Sequence, residues 1–299
     1  MKFIRRVPLA ISGIALSLAA LGNLLQPRGE AIRAVCGVLA AVLLALFLAR
    51  FIFDFKRARE ELNNPVAFSV LPTSTMAAML LCVYAKPYIG FAAVVLWYAS
   101  LAAHILMMLL FAARYLVGFK LQTVFPSWFV AGVGLVVASV TSPAVDAAHI
   151  GRMIFYIGFA VYFILLPTVI LRMTTAGPFP EPARPTIAIL TAPMSLCIVG
   201  YFNAFARPDI RLVALMLIIA VVSYLYVTVH MVSLVRLKFY PTYAAFTFPY
   251  VISAIAFKTA NAALVDHGVH VFSFVPIVSE WAAIAVVTFV LVRYTASMV

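Results

Sequence analysis

The chain has 299 residues, of which 66% are hydrophobic and 10% are charged, and its formal net charge is +12. A soluble domain is nearer half apolar and a quarter charged, so this chain carries too little polar surface to cover a water-soluble fold. Lipid removes that conflict, but inside lipid every backbone N–H and C=O must be paired within the protein, which leaves helices or a closed barrel. Barrel strands would read as alternating segments of roughly ten residues. This sequence has long continuous apolar runs instead, such as 34–48 and 212–229. The fold class expected is an all-α integral membrane protein.

A crossing helix needs about 20 apolar residues. Segmenting at proline, glycine and charge clusters predicts ten transmembrane helices, over residues 8–25, 31–52, 66–84, 88–113, 123–140, 148–171, 186–205, 212–235, 243–263 and 273–293. The first follows Lys2, Arg5 and Arg6, as a signal peptide would. Its apolar run is nevertheless long enough to span, and no small-residue cleavage motif follows it, so it is read as a helix. The connecting loops are short and contain no Gly-rich nucleotide fingerprint. The expectation is one transmembrane domain over 1–299, without a cofactor.

The basic residues are unevenly shared between the two ends of such a bundle. One end collects the N-terminus and the segments after each even helix, with fourteen of the 21 Lys and Arg residues: Lys2, Arg5, Arg6, Arg50, Lys56, Arg57, Arg59, Arg114, Lys120, Arg172, Arg184, Arg236, Lys238 and Arg293. The other end holds Arg28, Arg33, Lys86, Arg152, Arg207, Arg211 and Lys258. The positive-inside rule then predicts both termini in the cytoplasm, in a multi-pass protein of the plasma or inner membrane. The positive charge reflects topology and attraction to anionic headgroups. It is spread over many loop ends, which argues against a nucleic-acid partner.

An internal repeat is legible. Each odd-numbered helix has a proline near its start, followed closely by Ser or Thr: Pro8 with Ser12, Pro72 with Thr73, Ser74 and Thr75, Pro126 with Ser127, Pro193 with Ser195, and Pro249 with Ser253. Successive prolines lie 64, 54, 67 and 56 residues apart, the length of a two-helix hairpin. The chain therefore reads as five hairpins, approximately 1–60, 61–119, 120–182, 183–238 and 239–299. Proline frees a carbonyl and kinks a helix, which lipid tolerates only where neighbours, hydroxyls or water satisfy the freed group. Small residues such as Gly13, Gly132, Gly134 and Gly200 permit close helix approach. These features suggest odd helices around a central axis and plainer even helices toward lipid or neighbouring subunits.

Three stretches carry a family resemblance. Pro8 to Leu16 with Ala19 to Asn23, then Asn64 to Ser69, then Phe246, Thr247, Phe248 and Pro249 resemble the tellurite-resistance/dicarboxylate transporter family, which includes the bacterial tellurite-resistance membrane protein and the plant slow-type guard-cell anion channels. The resemblance implies a homotrimer with a quasi-fivefold arrangement of hairpins and a pore in each protomer. Odd helices would line that pore, and a helix-nine phenylalanine would close it. By position that gate is Phe248 first and Phe246 second. An anion path works best with weak, distributed donors, because a strongly charged site would not release its ion. The hydroxyls of Ser12, Thr73, Ser74, Thr75, Ser127, Ser195 and Ser253 are the expected lining donors.

Lys258 lies ten residues beyond Phe248, about 15 Å along the helix axis, which suits either an anion-concentrating vestibule or a side chain reaching the interface. His104 and Glu280 are ionisable residues in even helices, expected in interhelical contacts. The function expected is passage of small anions of the chloride, nitrate, sulfite, tellurite or C4-dicarboxylate class. The alternative is proton-coupled secondary transport of dicarboxylates or oxyanions. Cys36, Cys82 and Cys197, and the five histidines, match no metal or redox spacing, so neither a metal site nor an enzyme is expected.

Overall fold

The computed structural model describes residues 2–270 and 273–298. Among these residues the regular structure is entirely helical. The ten main elements, labelled here in chain order, are α1 (Ile11–Leu25), α2 (Glu30–Phe53), α3 (Pro65–Ile89), α4 (Phe91–Tyr115), α5 (Trp128–Val145), α6 (Ala148–Thr175), α7 (Glu181–Ala204), α8 (Ile210–Leu234), α9 (Pro241–Asp266) and α10 (Val275–Met298). Two short helices, Lys2–Arg6 and Phe55–Glu61, accompany them. The second is fastened to α2 by Arg50, which pairs with Asp54 and, at 2.6 Å, with Glu61.

Nine of the described helices are long and apolar enough to cross a membrane, and α1 falls short of that length. The predicted first span, 8–25, forms a helix of 15 residues, which rises about 22 Å against a hydrocarbon core of about 30 Å. Its limits are set by Pro8 at one end and at the other by the 3-10 turn Gln26–Arg28, which contains Pro27. Every residue of α1 except Asn23 is buried. Other boundaries shift in both directions: α5 begins at Trp128, five residues after the predicted start, and ends five residues later at Val145. Helix α3 continues through Lys86 and Pro87 to Ile89 and stops at Gly90, whose φ of 52° belongs to the left-handed region glycine tolerates.

Burial alternates along the chain. In the apolar windows of α3, α5, α7 and α9 between 61% and 78% of residues are buried, but in α2, α4, α6, α8 and α10 between 22% and 33%. The second set is covered with exposed Leu, Val, Ile and Phe side chains, among them Val42, Leu109, Ile164, Val222 and Val292. An apolar outer face is costly in water and suited to lipid. The buried set makes contacts that run α1 to α3, α3 to α5, α5 to α7, α7 to α9 and α9 back to α1. Each exposed helix packs on its hairpin partner and on the next buried element: α2 on α1 and α3, α6 on α5 and α7, α10 on α9 and α1.

Glycine permits the closest of these approaches. A Cβ on Gly200 of α7 would stand 2.6 Å from Val136 Cγ1 of α5, and one on Gly134 of α5 would stand 2.9 Å from Met76 Sδ of α3. Neither space accepts a methyl group without displacement.

Candidate functional site

The buried elements are broken helices, and the prolines stand at or near the breaks. Helix α3 is split between Pro65–Val70 and Thr73–Ile89, with Pro72 capping the second part. Helix α7 runs as a 3-10 segment over Glu181–Thr191 and becomes α-helical at Ala192, with Pro193 in the first turn. Helix α9 changes in the same way at Thr247, with Pro249 two residues on. Pro126 and Pro8 lie just ahead of α5 and α1. At each change of helix type the regular i→i−4 ladder is interrupted, and carbonyl groups need other donors.

The hydroxyls beside the prolines supply them. Thr73, Ser74 and Thr75 each donate at 2.8 Å to the carbonyls of Val70, Leu71 and Pro72. Ser12 donates to Leu9 O at 3.1 Å. Thr191 O accepts from Ser195 at 2.8 Å and from Ser253 at 3.2 Å. The same hydroxyls join neighbouring elements. Ser12 and Thr73 link α1 to α3 at 2.7 Å, Ser69 donates to Ser127 at 2.6 Å ahead of α5, and Ser195 and Ser253 link α7 to α9 at 3.0 Å. Thr75 meets His104 Nδ1 of α4 at 2.9 Å. These pairs are buried, so they pin the positions of the breaks to one another.

Two cavities follow the buried elements. The narrower, about 70 Å³, is walled by residues of α3, α5, α7 and α9 together with Gly13 and Leu16 of α1, and its surface is almost wholly apolar. Of the sequence-predicted lining residues, Thr73 is on its wall, as are Pro193 and Pro249, whereas Ser12, Ser74, Thr75, Ser127, Ser195, Ser253 and Lys258 are not. The wider cavity, about 320 Å³, is more polar, with Asn23, Gln26, Arg33, Thr141 and Asn203 on its wall. Leu196 and Phe248 belong to both cavities. Phe248 is buried and belongs to the walls of both spaces. Phe246 lines neither cavity. It is fully buried against Tyr243, with ring centroids 4.8 Å apart.

Lys258 is exposed and stands 3.5 Å from Glu280 of α10, which also binds Arg28 at 2.5 Å, while the Arg28 guanidinium lies 5.0 Å from the Trp281 ring centre. Sequence reasoning missed the wall residues Leu196 and Met76, which differ in no visible way from other apolar helix residues. It also left Arg33 as a topology marker. In the structure Arg33 is held over Tyr84, 4.3 Å from the ring centre, and bonded to Asn23 Oδ1 at 3.1 Å and Glu30 at 2.6 Å. A polar pair at a span's end, Asn23 with Arg33, was the available signal. Among the described residues no group of His, Cys, Asp and Glu is placed to hold a metal ion.

An all-helical bundle with lipid-compatible outer helices, buried broken helices and internal cavities along them is the organisation of a multispanning membrane protein. The family model described as voltage-dependent anion channel (SLAC1) matches residues 6–295, and the chain belongs to that family. The chain is also similar to the tellurite resistance protein TehA homolog of Haemophilus influenzae, with 24% identity over 206 residues, which make up 66% of this chain and 62% of that relative. The matched stretch spans less than two thirds of that relative's length.

Proposed function

We propose that the protein passes small anions along the axis of its buried elements, and that Phe248 closes this path. The observation that carries the reading is that one phenylalanine, Phe248, belongs to the walls of both cavities. The narrow cavity is lined with apolar groups, which hold back water and ions, and the wider one offers amides and one guanidinium. This pairing suits a hydrophobic constriction beside a weakly attracting vestibule. In this reading α1 is the tenth crossing helix, and the five hairpins stand in quasi-fivefold order around a central pore. The succession of contacts from α1 through α9 back to α1 supports that order. The protein works as a homotrimer in the plasma or inner membrane with both termini cytoplasmic, in keeping with the fourteen-to-seven division of basic residues. The anions are of the chloride, nitrate, sulfite, tellurite or C4-dicarboxylate class, and tellurite gains weight from the name of the Haemophilus relative.

Reconstitution into liposomes tests the function directly. Anion efflux driven by a membrane potential alone supports the channel reading. Efflux that occurs only when a proton gradient is imposed supports the proton-coupled alternative. One observation favours that alternative: His104 is buried, bonded to Thr75 and close behind the Gly134 wall of the narrow cavity. Absence of anion flux under both conditions overturns the proposal.

A further inference from the structure

A third cavity lies outside the path. It is a groove of about 440 Å³ between α4, the start of α3 and the short helix Phe55–Glu61, on the more basic end of the bundle. Its α4 wall is a single helical stripe, Ala103, Leu106, Met107, Leu110 and Arg114. From Ala103 to Arg114 this stripe rises about 16 Å, which is half of a hydrocarbon core of about 30 Å, or one leaflet. Leu62, Phe68 and Leu71 complete an apolar wall, and Arg59, Arg114 and Asn63 supply its polar groups.

Neither guanidinium has a carboxylate partner among the described residues. Arg114 donates to Asn63 Oδ1 at 2.9 Å and lies 5.7 Å from the ring centres of Phe68 and Tyr115. That bond orients the amide of Asn63 and leaves its NH2 group as a further donor. Arg59 is exposed. Of the four acids on this end, Asp54 and Glu61 are held by Arg50 and Glu181 accepts from Tyr240, which leaves Glu60. A second copy of the chain therefore has few carboxylates with which to answer two arginines at this groove. A lipid phosphate answers both, and an acyl chain fits the stripe below.

We propose that this groove binds one anionic phospholipid, with the headgroup phosphate between Arg59 and Arg114 and an acyl chain against Leu106, Met107 and Leu110. Guanidinium groups engage phosphate through paired N–H donors, which lysines do not. The site does not depend on the path through Phe248.

Native mass spectrometry of the full chain, purified in detergent and titrated with phosphatidylglycerol or phosphatidylcholine, tests it. The expected result is one phosphatidylglycerol retained per chain at concentrations where phosphatidylcholine is not. Arg59→Ala and Arg114→Ala are each expected to weaken retention about tenfold, the scale of one lost charge-assisted contact. Leu106→Trp, which fills the apolar stripe, is expected to abolish it. Arg57→Ala, on the same short helix but off the groove, is expected to leave it unchanged. Arg59→Ala removes no side-chain bond among the described residues, so it carries the test if Arg114→Ala folds poorly. Equal retention of both lipids, or an equal loss in Arg57→Ala, overturns the proposal in favour of diffuse attraction. Full displacement by water-soluble glycerol phosphate at matched concentration overturns the acyl-chain part. A change of oligomeric mass in Leu106→Trp with lipid retention intact shows that a second copy occupies the groove.

Discussion

Phe248→Ala separates a closing ring from a packing ring. Phe248 is buried and lines both cavities, so under the proposed function opening the path requires the ring to leave that position. Full burial of a phenylalanine side chain contributes about 1.5–3 kcal/mol. If moving the ring costs that much, the open arrangement is populated about ten- to a hundredfold less than the closed one, at about 1.4 kcal/mol per factor of ten. Removing the ring eliminates this cost, so anion current per protein is expected to rise about ten- to a hundredfold. The assay is current in planar bilayers at fixed pH, or anion efflux from liposomes, normalised to the amount of folded protein. Phe246→Ala is the matched control. Its ring touches Tyr243 and lines neither cavity, so it is expected to lose about 3–5 kcal/mol of stability as a core truncation without a rise in current. A Phe248→Ala protein that folds normally and conducts no better than the parent refutes the reasoning, and so does an equal rise in Phe246→Ala.

Three further outcomes test the packing account. Gly200→Ala places a methyl group 2.6 Å from Val136 Cγ1; it is expected to cost about 1–3 kcal/mol through overpacking and to be rescued by Val136→Ala, both read by thermal unfolding in detergent. Ser195 and Ser253 share the Thr191 carbonyl and contact each other at 3.0 Å. A double-mutant cycle with alanine is expected to show a coupling of about 0.5–1.5 kcal/mol, whereas simple additivity would discard the hydroxyl link between α7 and α9. Glu280→Gln keeps the shape of the side chain but removes the charge that Arg28 and Lys258 face. Both cations are about half exposed, so solvent screening limits the expected loss to about 1 kcal/mol, measured as a lower unfolding midpoint that high salt diminishes.

Much of the architecture was legible in the residues themselves. Runs of Leu, Val, Ile and Ala twenty residues long leave the backbone no choice but helix in lipid, and the alternation of proline-marked and plain runs anticipated the alternation of burial between α3 and α4 or α7 and α8. The proline–hydroxyl pairs pointed to the right elements. What the hydroxyls do there was not legible. A serine hydroxyl can bond the carbonyl one turn back in its own helix, and whether it does so or faces a cavity depends on helix rotation, which the neighbouring elements set. Of the eight predicted polar wall residues, Thr73 lies on the wall of one of these two cavities.

The length of α1 is a second instance. Residues 8–25 are apolar enough to span, yet Pro8 and Pro27 confine the α-helix to Ile11–Leu25. By itself the sequence determined the solvent of this protein and its helical class, because each follows from composition and local backbone chemistry. Only the tertiary structure decided that Phe248, rather than Phe246 two residues earlier, lines both spaces. That distinction is a matter of rotation about the axis of α9, and it is fixed by the side chains of the other buried elements packed against α9.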